Sequence, residues 1–182
     1  MNASERLQAI IKERREWESF GWGPLLTVWT LVLTVKSLVE LWTGPRADLG
    51  FAAYLAALIL QSLFAFLPGA RSGTRQWEMH GLWALAAVSA WFFGSWAPAS
   101  GFVQTQGAAV LEIMFLAAAL AITGILKARR VLFISGATLA AGVLLVAVFP
   151  VLWVWRPLLL AGTFGTAAVM TLVTDRQTIR QD

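Results

Sequence analysis

The chain alternates long apolar runs with short polar or basic connections. Six runs, at 23–43, 50–67, 81–97, 108–126, 131–149 and 157–173, each approach the roughly 20 apolar residues that a helix needs to cross a bilayer core. The fifth and sixth are joined by PVLWVWRP, itself apolar. Pro150 and Pro157 mark the break, since proline ends or kinks a helix. The pattern predicts an all-α, polytopic integral membrane bundle of six transmembrane helices in three hairpins. The connections within hairpins are short (TGPRADL, PASGFVQTQG, PVLWVWRP), whereas those between hairpins carry bases (PGARSGTRQWEMH, KARR).

Upstream of the first run, residues 1–22 read as an amphipathic helix. Asn2 and Glu5 have capping-box spacing, and Leu7, Ile10, Ile11, Trp17 and Phe20 recur near helical period. Lys12–Glu16 and Arg14–Glu18 are i,i+4 ion pairs. This segment suits either a surface anchor or a docking helix for a partner subunit. Its balanced charge argues against anionic-lipid recognition.

Charge distribution sets the expected orientation. Arg6, Lys12, Arg14, Arg15, Arg71, Arg75, Lys127, Arg129, Arg130, Arg176 and Arg180 fall on one side of the six-span arrangement, and only Arg46 and Arg156 on the other. Basic loops stay in the cytoplasm. Both termini, including the tail at 174–182, are therefore expected on the cytoplasmic side of a plasma (inner) membrane. Trp42, Trp96, Trp153 and Trp155 are expected at the outer interface, and Trp22, Trp77 and Trp83 at the inner one.

Composition agrees with lipid as the solvent. Hydrophobic residues make up 58% of the 182 and charged residues 13%, about half the share usual in soluble domains. The net charge of +4 is scattered in clusters between apolar runs, which argues against a nucleic-acid face. There is no cysteine and only one histidine, His80, which excludes thiolate metal sites and bis-histidine haem within one chain. No phosphate-binding GxxxxGK(S/T), HExxH or DxxD pair is present, so no cofactor, metal or catalytic residue is expected.

The candidate site is a group of polar residues inside the spans: Lys36, Glu40, Gln61 and Glu112. Lys36 and Glu40 lie one turn apart on one face of the first span. An ionised group in lipid costs ~2.5–3.5 kcal/mol on insertion scales, so these residues should pair or face the interior. Glu112 lies in the outer half of the fourth span, Gln61 sits near the middle of the second, and Tyr54 has the depth to join the outer group. Glu78 and His80 flank Met79 at the expected cytoplasmic interface, a weak acid/base candidate because residues two apart on a helix do not face each other. Ser89, Ser95, Thr123, Ser135 and Thr138 are expected to bond their own helix backbones.

Small residues recur every four positions: Ala86, Ala90 and Gly94; Ala117 and Ala121; Gly136 and Ala140. Such stripes let helix backbones approach, within one bundle or across a homo-oligomer. The last hairpin, with Pro150 closing one span and Gly162 and Gly165 in the next, resembles part of the HdeD-type six-helix membrane proteins. That resemblance implies a helical membrane hairpin and assigns no activity. The leading expectation is a non-enzymatic accessory, assembly or regulatory subunit of a membrane complex. The alternatives are a small transporter or channel built around Lys36, Glu40 and Glu112, and a membrane-embedded enzyme acting on lipid near Glu78 and His80.

Overall fold

The computed structural model describes residues 4–6, 8, 22–44, 46–65, 74–126 and 129–179. Almost all of the segment expected as an N-terminal amphipathic helix lies outside these residues. The described residues form α1 (Trp22–Thr43), α2 (Ala47–Ala65), α3 (Thr74–Trp91), α4 (Thr105–Leu126), α5 (Arg130–Val148) and α6 (Arg156–Ile179). A π-helical turn, Phe92–Trp96, and one α turn, Ala97–Ala99, extend α3, and a 3-10 segment, Pro150–Trp155, joins α5 to α6. No strand occurs among the described residues.

Among the described residues, five helices are long and apolar enough to cross a membrane: Leu25–Thr43, Met79–Ala99, Gly107–Leu126, Arg130–Val148 and Arg156–Val173. The run expected at 50–67 falls on α2, which the described residues follow to Ala65, with Ala47–Leu63 a shorter apolar helix among them. The last helix continues to Ile179, past the expected start of the tail at 174.

The exposure pattern is inverted relative to a water-soluble fold. Lys36, Glu40, Glu112 and Arg156 are buried, with only 2–6% of their surface exposed, while Leu31, Val35, Phe51, Ile59, Leu85, Ile125, Ile134, Leu145 and Leu158 stand on the outside. In water this arrangement would forfeit the hydrophobic effect and desolvate charge at once. In lipid the apolar outer surface is already solvated, and polar groups gain by turning inward.

The helices form a closed circuit. Each packs on its neighbour in chain order, and α6 returns to pack on α1. Trp29 of α1 and Trp83 of α3 fill the middle, both fully buried, with ring centroids 4.9 Å apart. Tyr54 of α2 lies 6.3 Å from the Trp29 ring, and Phe164 of α6 lies 6.4 Å from that of Trp83. Trp83 is thus a core residue, not the interfacial one its position suggests. Its Nε1 donates to Thr123 Oγ1 at 3.1 Å, which anchors it inside. Trp42, Trp96 and Trp155 are exposed at the end of the bundle where α1 terminates.

The α4–α5 seam explains the small residues. A Cβ placed on Gly136 would stand 2.6 Å from Ala121 N and 2.7 Å from Ala117 O, so only glycine admits the approach of the two backbones. The stripes on α4 and α5 therefore meet each other inside one chain. At the end of α1, Gly44 has φ of 75° and its N–H bonds Glu40 O at 2.9 Å, a left-handed stop that glycine adopts without a Cβ penalty.

Candidate functional site

Helix geometry sets the depth of each polar side chain. Lys36 lies seven residues before the end of α1 at Thr43. Tyr54 lies seven residues after the start of α2 at Ala47, and Glu112 seven after the start of α4 at Thr105. At 1.5 Å per residue all three sit about 10 Å in from the same end of the bundle. Glu40, Ser95 and Arg156 form a second layer nearer that end.

The two layers form one network. Lys36 Nζ donates to Glu40 Oε2 at 2.8 Å and to Glu112 Oε1 at 2.5 Å. The Tyr54 hydroxyl donates to the same Glu112 oxygen at 2.5 Å, and its ring centroid lies 5.6 Å from Lys36 Nζ. Arg156, the first residue of α6, turns its Nη2 inward to Glu40 Oε2 at 3.2 Å. Ser95 Oγ approaches Glu40 Oε1 at 3.5 Å. Five of the six helices contribute, with α5 outside the network. Two bases face two acids, so the cluster is neutral with all four ionised.

Two backbone features make room for it. The π-helical turn inserts an extra residue into the α3 spiral, so the consecutive residues Gly94 and Ser95 both face inward and are buried. A Cβ on Gly94 would overlap the Glu112 carboxylate, and one on Gly50 would overlap the Ser95 side chain. The stripe Ala86–Ala90–Gly94 thus ends at the acid that α4 inserts.

Burying four charges costs several kcal/mol per ion before their mutual attraction is counted. Charge-assisted hydrogen bonds return ~1.5–3 kcal/mol each. An apolar replacement of the whole cluster would hold the helices together about as well. The exposed pair of Arg46 and Asp48 on the α1–α2 turn, at 2.6 Å, is a contrasting case. Water screens it, and its hydrogen bond raises the Arg46 pKa with no effect on a side chain that is always charged.

Gln61, expected in the same group, belongs to a separate cluster deeper in the bundle. Its position is seven residues beyond Tyr54, about 10 Å further along α2. Trp29 Nε1 donates to Gln61 Oε1 at 3.0 Å, and Gln61 Nε2 meets His80 Nδ1 at 2.7 Å. An accepting Nδ1 leaves the ring proton on Nε2. His80 is thereby tied to Gln61. The Glu78 side chain falls outside the described ones. Trp29→Phe should leave Gln61 Oε1 short of a donor and cost about 1–3 kcal/mol. Thermal unfolding in detergent checks this, and adding Gln61→Leu should recover only part of the loss, because it removes the stranded acceptor but also the donor to His80 Nδ1.

A groove of about 390 Å³ runs between α1 and α2, lined by Leu31, Val32, Val35, Leu49, Ala52 and Ala53, and Lys36 borders it. It is apolar apart from that lysine. Among the described residues no group of three or more acidic or imidazole side chains gathers as a metal site. The Thr123 hydroxyl bonds its own helix at Ala119 O, as expected, and that of Thr171 bonds Ala167 O, whereas Ser95 turns to Glu40.

No family model, curated protein or solved structure matches this chain. The likeness of the last hairpin therefore remains one of sequence pattern, and function rests on the geometry of the network.

Proposed function

We propose that this chain is a small integral membrane transporter whose working part is the Lys36–Glu40–Glu112–Arg156 network, moving a cation in exchange for protons. The observation that carries this reading is the convergence of four ionisable side chains from three helices in an apolar interior. Stability alone does not require them there, and intramembrane charge by default marks a path for ions or protons. In this reading α2 completes a six-span bundle of three hairpins in the plasma membrane. Both termini are cytoplasmic, and the network lies in the outer half, near the water beyond Thr43 and Arg156. No cofactor is involved.

Reconstituted protein should collapse an imposed pH gradient when a panel of small cations is supplied, read by an internal pH dye. Glu112→Gln keeps the shape but removes a charge that Lys36 needs. It should slow that flux at least about tenfold, equivalent to 1.4 kcal/mol. Equal rates for wild type and Glu112→Gln, or no flux with any cation, would remove the transport reading.

A second reading, the accessory subunit of a membrane complex, is supported by the direct contact between the charges, which clasps α1 to α4 and α6. Its mark would be a stoichiometric partner that copurifies from the native membrane and stays bound in Glu112→Gln.

A further inference from the structure

We infer that the position now held by the Lys36 ammonium is a substrate seat, and that its ligand is a primary alkylammonium cation entering along the groove between α1 and α2. This names a substrate class for the proposed transport and rests on that reading. Two independent observations lead to it.

The first is the seat itself. Lys36 is an alkylammonium, and the protein holds it as a bound one would be held. Carboxylate oxygens stand at 2.8 Å and 2.5 Å, and an aromatic face lies 5.6 Å away. A primary ammonium has three N–H donors to meet such acceptors, and aromatic faces attract cations of this kind. A divalent ion in place of the ammonium would leave excess charge in an apolar surround.

The second is the approach. Leu31, Val32, Val35, Leu49 and Ala53 line a groove suited to a hydrocarbon tail, and Lys36 borders it. An amphiphilic amine dissolved in the bilayer can lay its tail along these residues and bring its head to Lys36, behind which the carboxylates of Glu40 and Glu112 lie. A fully hydrated inorganic ion gains nothing from this lining.

The exchange balances. The incoming R–NH3+ hydrogen-bonds Glu40 and Glu112. Lys36 Nζ releases one proton to water beyond the rim and remains as a neutral amine. One positive charge enters the network and one leaves, so the two glutamates and Arg156 keep their ionisation. Lys36 is thus a tethered competitor for the seat.

The test uses the full chain in nanodiscs with radiolabelled phenethylammonium as the probe. Wild type should bind it, release one proton per molecule bound, and lose it to octylammonium but not to potassium. Glu112→Gln should weaken binding about tenfold, and Lys36→Met should tighten it about tenfold while abolishing proton release. Ala53→Phe fills the groove with every charge in place and should weaken binding about tenfold, so the inference remains testable if Lys36→Met does not fold. Binding unchanged in Ala53→Phe and Glu112→Gln overturns the inference, as does displacement by potassium at the same concentration as octylammonium. If amine binding is absent while Glu112-dependent flux of another cation persists, the alkylammonium assignment falls and transport stands. If the amine binds as described without any flux, transport falls and the seat stands.

Discussion

Replacing Glu112 with methionine should destabilise the protein by about 3–5 kcal/mol, because it strands a buried positive charge. Lys36 would keep Glu40 as its only carboxylate, and Arg156 already draws on that same Oε2 atom. The Tyr54 hydroxyl would lose its acceptor as well. The second variant of the series, Lys36→Met with Glu112→Met, removes one charge of each sign and leaves the Glu40–Arg156 pair neutral. It should recover at least half of the loss. Unfolding in a mixed-micelle denaturant titration measures both, and a double-mutant cycle gives the coupling directly. Strictly additive losses would mean that Lys36 and Glu112 do not interact. Under the proposed transport, the same pair separates stability from flux, since the double variant should fold and still fail to exchange protons.

Gly136→Ala should cost about 3 kcal/mol, at the upper end for a single added methyl group, because the obstacles are backbone atoms. Its Cβ would press on Ala121 N and Ala117 O, neither of which can turn away as a side chain does. Gly162→Ala is the control. Nothing lies within 4 Å of a Cβ there, so alanine should be neutral or stabilise the helix by up to about 1 kcal/mol. Melting of the two variants beside wild type decides the matter. Equal stabilities would show that the α4–α5 backbones are not in contact at that point.

Much of this architecture is legible in the amino-acid pattern. Run length and proline placement mark the helices, because lipid solvation makes uninterrupted apolar length the dominant signal. The pairing of Lys36 with Glu40 follows from i,i+4 spacing, and the depth of Glu112 and Tyr54 follows from counting residues. Other features depend on tertiary placement. Arg156 reads as a loop base because it follows an apolar connection and precedes a proline. Its inward turn depends on the 3-10 segment that delivers it to the rim of α1. Gln61 has suitable polarity but lies two turns too deep, where Trp29 and His80 claim it. Trp83 has an interfacial position, yet the hydroxyl of Thr123 gives its N–H a partner inside. The π-helical turn is marked in the sequence by Gly94 and by Pro98, which has no N–H to bond Gly94 O, but neither residue specifies the inward turn of Ser95.

The return of α6 to α1 has a consequence for how the protein is made. A ribosome releases the Lys36–Glu40 pair early and together, so those charges can neutralise each other while α1 enters the bilayer. Glu112 follows 76 residues after Lys36, and Arg156 comes 116 residues after Glu40. Until that last helix inserts, one flank of α1 has only lipid or a chaperone against it. Biogenesis is therefore obliged to hold the first span in waiting, and stalled chains lacking α6 should be preferred targets for membrane quality control.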